Sequence, residues 1–294
     1  MIKNAGLKLC IFLLYLISLF PLWFLYIVSD GLYILLYYIT RYRRKVVRQN
    51  LRNSFPEKSP AELKTIEKKF FRYLGDFIVE TVKAITMSEE ELRRRVILTN
   101  PEVMNQYYAQ GRSVIAVGGH YCNWELAGLN FYFYTDKKFM IVYKPLTNAT
   151  FDQFFYRIRS RFGTIPVAMR QTYRKILEYK NEQTAMALLG DQTPARQDAN
   201  YFTTFLNQPT AVFLGIEKLA RSMNSVVLFY DMKLIKRGYY SYTLIPLFEN
   251  PKQTEPYEIT KGHVKHLESL IINEPQYWLW SHRRWKFKPE DIQK

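Results

Sequence analysis

Cysteine is nearly absent from this 294-residue chain: Cys10 lies in an apolar run and Cys122 lies far from it. Two such residues cannot build a disulfide framework or a four-thiolate zinc site, and they fit a reducing compartment. Glycine (12) and proline (13) are sparse, and hydrophobic residues make up 48% of the chain, which excludes collagen, low-complexity linkers and intrinsic disorder. Acidic residues are short as well. The 26 Asp and Glu face 42 Lys and Arg, a formal net charge of +16. Aromatics, in contrast, are abundant, with 23 Tyr, 20 Phe and 5 Trp. A basic, aromatic-rich protein suits a membrane interface or single-stranded nucleic acid, and the placement of the aromatics separates the two.

Leu9 to Val28 is 20 residues without a charge, and at about 1.5 Å per residue that length matches a hydrocarbon core of about 30 Å. A cleaved signal peptide has a shorter apolar region followed by small residues; here Trp23, Tyr26, Tyr33, Tyr37 and Tyr38 follow, so the segment reads as an uncleaved anchor. Pro21 is a kink point, and Leu32 to Ile39 reads as an interfacial stretch or a prolongation of a tilted helix. Beyond it come Arg41, Arg43, Arg44, Lys45, Arg48 and Arg52, against Lys3 and Lys8 before the anchor. That asymmetry places the body on the cytoplasmic side of a membrane and sets the basic run against anionic headgroups. No nucleic-acid-binding motif accompanies the charge, and none is expected as a partner.

Residues 41–294 show no linker and no repeat and read as one domain after the 1–40 anchor. Leu63, Ile66, Phe70, Leu74, Phe77, Ile78 and Ile85 recur at helical spacing after Pro60. Asn100-Pro101 and Gly111 bracket a short helix. The runs Ser113 to Val117, Phe139 to Tyr143, Thr184 to Leu189, Val226 to Tyr230 and Tyr240 to Ile245 read as strands. They alternate with helical patterns at Ala149 to Phe162 and Ala211 to Arg221. This alternation predicts an α/β fold with a mixed, largely parallel central sheet flanked by helices.

Gly118-Gly119-His120-Tyr121-Cys122-Asn123-Trp124-Glu125 follows the first of these strands. In open α/β sheets ligands bind beyond the carboxyl ends of strands, which puts His120 where chemistry is done. Asn123 suits a helix cap, and Glu125 then falls in the first turn at the positive end of the helix. Two readings fit this spacing. A carboxylate on one imidazole nitrogen leaves the other free to take a proton from a hydroxyl, a general-base dyad; alternatively His120 satisfies a turn and Glu125 only serves the helix end. The order is not HExxH and His263, His266 and His282 are remote in sequence, so no metal is expected.

The block from Gly119 to Glu125 resembles the HX4(D/E) motif of the lysophospholipid acyltransferase superfamily, and more closely that of the lipid A late acyltransferases. Later blocks are similar in the same order: Val142-Tyr143-Lys144-Pro145 with Arg157-Ile158-Arg159-Ser160-Arg161, Gly190-Asp191-Gln192, Phe205 to Pro209, and Gln276 to Lys286. The chain departs from the pattern at Leu206-Asn207-Gln208, where glycine is usual. The resemblance implies His120 as general base, Glu125 orienting it, and Arg159 and Asp191 as further residues on which activity depends. Arg159 suits an oxyanion or a phosphate, and Asp191 a role in positioning Arg159 or a loop. It implies O-acyl transfer from an acyl-acyl carrier protein to a phosphorylated glycolipid such as a lipid A precursor, with no cofactor. Lysophospholipid, aminolipid or phosphoinositol mannoside acceptors are the alternatives, and a non-catalytic membrane-binding protein is a rival of another class. Phe131, Phe133, Phe154 and Phe155 are candidates to line an acyl channel, with core packing as their other role. The aromatic terminus from Tyr277 is assigned to packing.

Overall fold

Strand β2 (Val114–Gly118) is buried at every position, as its unbroken apolar sequence requires, and the rest of the molecule is arranged around it. The computed structural model describes residues 2–291. It begins with α1 (Ile2–Ser18), α2 (Leu22–Ile34), α3 (Arg44–Ser54), α4 (Pro60–Lys83) and α5 (Glu89–Arg95). Next come β1 (Val96–Leu98), α6 (Glu102–Ala109), β2, α7 (Trp124–Phe131), β3 (Lys138–Tyr143), α8 (Ala149–Arg159), β4 (Ile165–Ala168), α9 (Thr172–Glu178) and β5 (Thr184–Leu189). The chain closes with β6 (Phe202–Phe205), β7 (Gln208–Ala211), α10 (Gly215–Met223), β8 (Val226–Lys236), β9 (Tyr239–Phe248) and α11 (Glu258–Asn273).

Seven strands form one sheet in the order β1-β9-β8-β2-β5-β3-β4. Within this sheet, among the described residues, only β8 and β9 pair antiparallel, so the mixed, largely parallel α/β sheet read from the sequence is what forms. β6 and β7 make a separate hairpin. Its turn residues Leu206 and Asn207 both have positive φ, 50° and 60°, a conformation that favours glycine. The departure from the family pattern therefore falls where the side chain matters least sterically for Asn and most for Leu. Buried Leu206 donates its N–H to the Glu268 carboxylate, which ties the strained turn to α11.

The uncharged run Leu9 to Val28 does not form one helix. Its first half belongs to α1, which ends at Ser18, and Pro21 opens α2, because proline lacks the N–H that would continue the first helix. Lys83 closes the end of α1 by donating to the carbonyls of Ser18 and Phe20, both at 3.1 Å. The helix long and apolar enough to cross a membrane is instead Leu22–Ile39, with a mean hydropathy of 1.6. It continues through a π-helical turn at Leu35–Ile39, so the stretch from Leu32 prolongs the helix, one of the two roles expected for it.

α2 is two-faced. Leu22, Leu25 and Ser29 are buried against the body, while Trp23, Ile27, Val28 and Ile34 are exposed. Ser29 Oγ donates to Asp76 of α4 at 2.6 Å, and Arg237, in the turn between β8 and β9, reaches Asp30 at 2.7 Å and Asp76 at 2.6 Å. Gly75 permits the approach: a Cβ there would lie 2.8 Å from the Ser29 carbonyl oxygen. The apolar helix is thus clasped to the catalytic-sized body along its polar side.

Candidate active site

β2 and β5 run parallel and in register, Gly118 beside Leu189, so their carboxyl ends release Gly119-His120 and Gly190-Asp191 side by side. The Gly190 N–H donates to the Gly118 carbonyl at 3.0 Å, carrying the pairing one step past the strands. Gly119 allows this closeness, since a Cβ there would meet the Leu267 side chain at 2.6 Å and an Asp191 oxygen at 3.1 Å. The two loops thus bring together residues that are 71 positions apart in sequence.

His120 Nδ1 lies 2.6 Å from Asp191 Oδ1, and the His120 backbone N–H donates to Asp191 Oδ2 at 2.8 Å. Trp278 Nε1 donates to the same Oδ2 at 2.8 Å. Asp191 is buried, which by itself raises a carboxyl pKa; the His120 charge, its two hydrogen bonds and the Trp278 donor outweigh burial and hold the group down to about 2. An ionised Asp191 fixes the proton on Nδ1 and leaves the Nε2 lone pair facing outward. Gln192 Nε2 lies 2.9 Å from that nitrogen and donates to it. The imidazole is 15% exposed at its side chain, a contact that an incoming hydroxyl can take over from the exposed Gln192.

Glu125 occupies the first turn of α7, where Asn123 caps the helix by accepting from the Leu126 N–H at 3.1 Å, as the sequence predicts. Its carboxylate is not bonded to His120. It makes a two-point pair with Arg159 at the end of α8, Nε to Oε2 at 3.0 Å and Nη2 to Oε1 at 2.6 Å. The expected His120–Glu125 pairing is therefore corrected to His120–Asp191 and Glu125–Arg159. The physical reason is register: two parallel strand ends offer Asp191 to His120 directly, while the helix start turns Glu125 toward α8. Likewise Asp191 positions His120 rather than Arg159. Burial works against the charge on Arg159, but the Glu125 charge and hydrogen bonds more than restore it, so the pair is ionic. Arg157 is exposed, and Arg161 donates to the carbonyls of Ala84 and Met87, tying α8 to the end of α4.

The carboxy-terminal segment closes the site as an added edge. Tyr121 and Trp278 form an antiparallel bridge, and the Leu279 N–H donates to the His120 carbonyl at 3.1 Å. Trp278 is thus more than packing; the sequence signal for it was only its place in a resembling block. Tyr230, on β8, donates to the Gly119 carbonyl at 3.2 Å from beneath. His282, remote in sequence, feels the charges of Asp191 and His120. Beside the imidazole, Trp124 meets it edge to face at 4.9 Å and joins Phe70, Leu74, Phe77 and Leu279 around a shallow apolar hollow. Of the phenylalanines expected in a channel, Phe131 is stacked on Phe139 at 4.4 Å and Phe133 packs on Phe162, so these two serve the core. Among the described residues, no cluster of His, Cys, Asp and Glu has the makings of a metal site.

Comparison with known proteins matches this arrangement of blocks to a family. The chain is 26% identical over 251 residues to the lipid A biosynthesis palmitoleoyltransferase of Escherichia coli (strain K12), covering 84% of this chain and 80% of that protein. The lipid A biosynthesis acyltransferase of Shigella flexneri gives the same values. The lipid A biosynthesis lauroyltransferase of Escherichia coli (strain K12) is 24% identical over 253 residues, 85% of this chain and 81% of that one. The model of the family described as bacterial lipid A biosynthesis acyltransferase matches residues 1–287, from the amino-terminal helices through the carboxy-terminal edge, and this chain belongs to that acyltransferase family.

Proposed function

We propose that this chain transfers a fatty acyl group from an acyl-acyl carrier protein thioester to a hydroxyl of a phosphorylated lipid A precursor, with His120 as general base. The observation that carries the reading is the His120–Asp191 contact at 2.6 Å at the ends of two parallel strands, with the imidazole's other nitrogen directed outward. The acceptor hydroxyl displaces Gln192 and gives its proton to Nε2 as its oxygen attacks the thioester carbon. The C–S bond then breaks, and the imidazolium returns the proton to the leaving thiolate, so no covalent acyl-enzyme forms and no cofactor is needed. Asp191 orients the ring and offsets its transient charge. Arg159, fixed by Glu125, supplies donors for the thioester oxyanion.

The surroundings fit the substrates. The apolar side chains of Phe70, Leu74, Phe77 and Trp124 give an acyl tail a surface to lie against beside the base. A cavity of about 600 Å3 between α3 and α4 sets Arg48, Arg52, Lys58 and Lys64 around Leu51 and Phe55, which suits an acidic carrier protein with its apolar cargo. The exposed apolar sides of α1 and α2, followed by the basic stretch 41–52, support anchorage of residues 1–40 in the inner membrane with the body on the cytoplasmic side.

The test is acyl transfer by purified, detergent-solubilised protein offered radiolabelled acyl-acyl carrier protein and a lipid A precursor. Product forms with the unmutated chain, and His120→Ala lowers kcat by about 10²–10⁴-fold. Undiminished transfer by His120→Ala would remove His120 from the mechanism. Transfer from acyl-coenzyme A alone would reject the carrier-protein donor.

A further inference from the structure

A guanidinium removed from water normally has its donors taken up by carboxylates or carbonyls, because the unpaired charge is heavily penalised in a poorly polarisable surrounding. Arg284 departs from this. It is 3% exposed, yet neither Nε nor Nη1 has a hydrogen-bond partner among the described residues. Burial draws its pKa down to about 10, opposed by the charge of Asp191. No hydrogen bond joins it to Asp191, whose carboxylate accepts from His120 and Trp278.

The arginine is also held in place. Thr193 Oγ1 lies 3.0 Å from the Arg283 carbonyl and 2.7 Å from the Arg284 carbonyl, which fixes this turn two residues beyond Asp191. Next to it, His282 Nδ1 is buried and likewise without a partner among the described residues. Burial lowers the His282 pKa to about 4; Asp191 acts against this, and His120, Arg284 and Arg43 act with it. Arg43 reaches the same turn, donating to the Ser281 carbonyl at 3.0 Å. One guanidinium and an open imidazole therefore lie near the strand end that carries Asp191, with the exposed Arg43 bonded to the same turn.

We propose that Arg284, flanked by His282 and Arg43, is a binding seat for a phosphate group, and that a phosphate carried by the acceptor lipid docks there to bring its hydroxyl to His120. The planar fork of the guanidinium matches two phosphate oxygens. A ligand charged in its resting state fits better than a transient oxyanion: Arg284 is buried in the resting protein, so an anion present before reaction balances it in the bound complex. Nε and Nη1 are closed from solvent, so the proposed ligand enters only by a shift of residues 281–286, a turn segment without helix or strand, that breaks the Thr193 and Arg43 hydrogen bonds to this turn. The assignment to the acceptor rests on the proposed function; the phosphate seat itself does not.

Two arms separate these. In the first, thermal unfolding of the full-length, detergent-solubilised protein is followed against inorganic phosphate and pyrophosphate. Both raise Tm in a saturable way, Arg284→Gln abolishes the shift, and Arg284→Lys keeps part of it. The exposed control Arg157→Gln responds as the unmutated chain does. If Arg284→Gln does not fold, phosphate protection of the unmutated chain against phenylglyoxal modification at Arg284 takes its place. An equal shift in unmutated and Arg284→Gln protein, or no protection, overturns the seat. In the second arm, acyl transfer is measured with intact and phosphatase-treated acceptor. Arg284→Gln raises KM for the phosphorylated acceptor by about 10–100-fold with kcat changed far less, and leaves KM for the dephosphorylated one unchanged. Equal changes for both acceptors overturn the assignment to the lipid and, if the first arm succeeds, make free phosphate the ligand.

Discussion

Two buried carboxylates in this molecule have nearly the same hydrogen-bond inventory and opposite electrostatics. Asp191 accepts from His120 Nδ1, the His120 N–H and Trp278. Glu80, at the meeting of α2, α4, α7 and β9, accepts from the Tyr26 hydroxyl at 2.9 Å, the Tyr240 hydroxyl at 2.7 Å and Asn123 Nδ2 at 2.6 Å. Yet Asp191 is held down to about 2, while burial raises Glu80 to about 7, its three neutral donors only moderating the rise. Three hydrogen bonds do not keep a buried acid ionised. A partner that can carry positive charge does. The candidate active site holds an anion because an imidazole faces it, and the region under the apolar helices holds a carboxyl poised near neutrality because burial, with the Asp76 charge nearby, outweighs the hydroxyls and the amide that bond it.

The comparison can be broken most forcefully at Asp191. Asp191→Asn removes the charge that orients and supports His120, so kcat falls by about 10²–10⁴-fold. Glu125→Gln breaks the pair with Arg159 without touching the imidazole. If the pairing seen here governs activity, Glu125→Gln and Arg159→Gln lower kcat by similar factors, and the double variant is no worse than either, as a steady-state double-mutant cycle would show. Additive losses would mean that Glu125 acts apart from Arg159.

Glu80 gives the next effect, read in stability. Its folded-state pKa of about 7 exceeds the ordinary 4.5, so between these values the folded protein binds more protons than the unfolded chain. Stability therefore falls as pH rises through that window, by on the order of 3 kcal/mol for this group. Asp191, lowered from 3.8 to about 2, has the opposite sign: its contribution is present above its unfolded value and is lost as pH falls toward 2. Denaturant unfolding across pH 4.5–7 should show the Glu80 slope in the unmutated chain and its loss in Glu80→Gln; an unchanged slope would assign the dependence elsewhere. The smallest effect is expected at Arg237, which binds Asp30 and Asp76 while 38% exposed. Arg237→Ala costs about 1 kcal/mol or less, because water and salt screen such pairs.

Much of this was readable before any coordinates. The strands at 113–117, 139–143, 184–189, 226–230 and 240–245, the long helix from Pro60 and the Asn123 cap all follow from local pattern. Burial on two faces, helical period and capping chemistry are each written in a few neighbouring residues. The short edge strands β1 and β4 and the β6–β7 hairpin were not legible, since three or four residues carry too little pattern to stand out. The break in the apolar run was signalled by Pro21, but its consequence, a docked α2 whose Ser29 and Asp30 bond to the body, depended on Asp76 and Arg237 far along the chain.

His120 and Glu125 could be picked out from residue type and position after a strand; Arg159 and Asp191 were implied only by the resemblance of their blocks. Who pairs with whom could not. Side chains at the ends of neighbouring parallel strands meet because the hydrogen-bonded register of the sheet brings the ends together, and that register joins segments 71 residues apart. Sequence spacing alone could bring only His120 and Glu125 near each other, and the turn of the helix then carried Glu125 away. Composition and local pattern therefore determined the apolar amino-terminal segment, the sheet and the block that carries His120 and Glu125; only the tertiary packing decided which carboxylate faces the imidazole and left Arg284 Nε and Nη1 buried without a partner among the described residues.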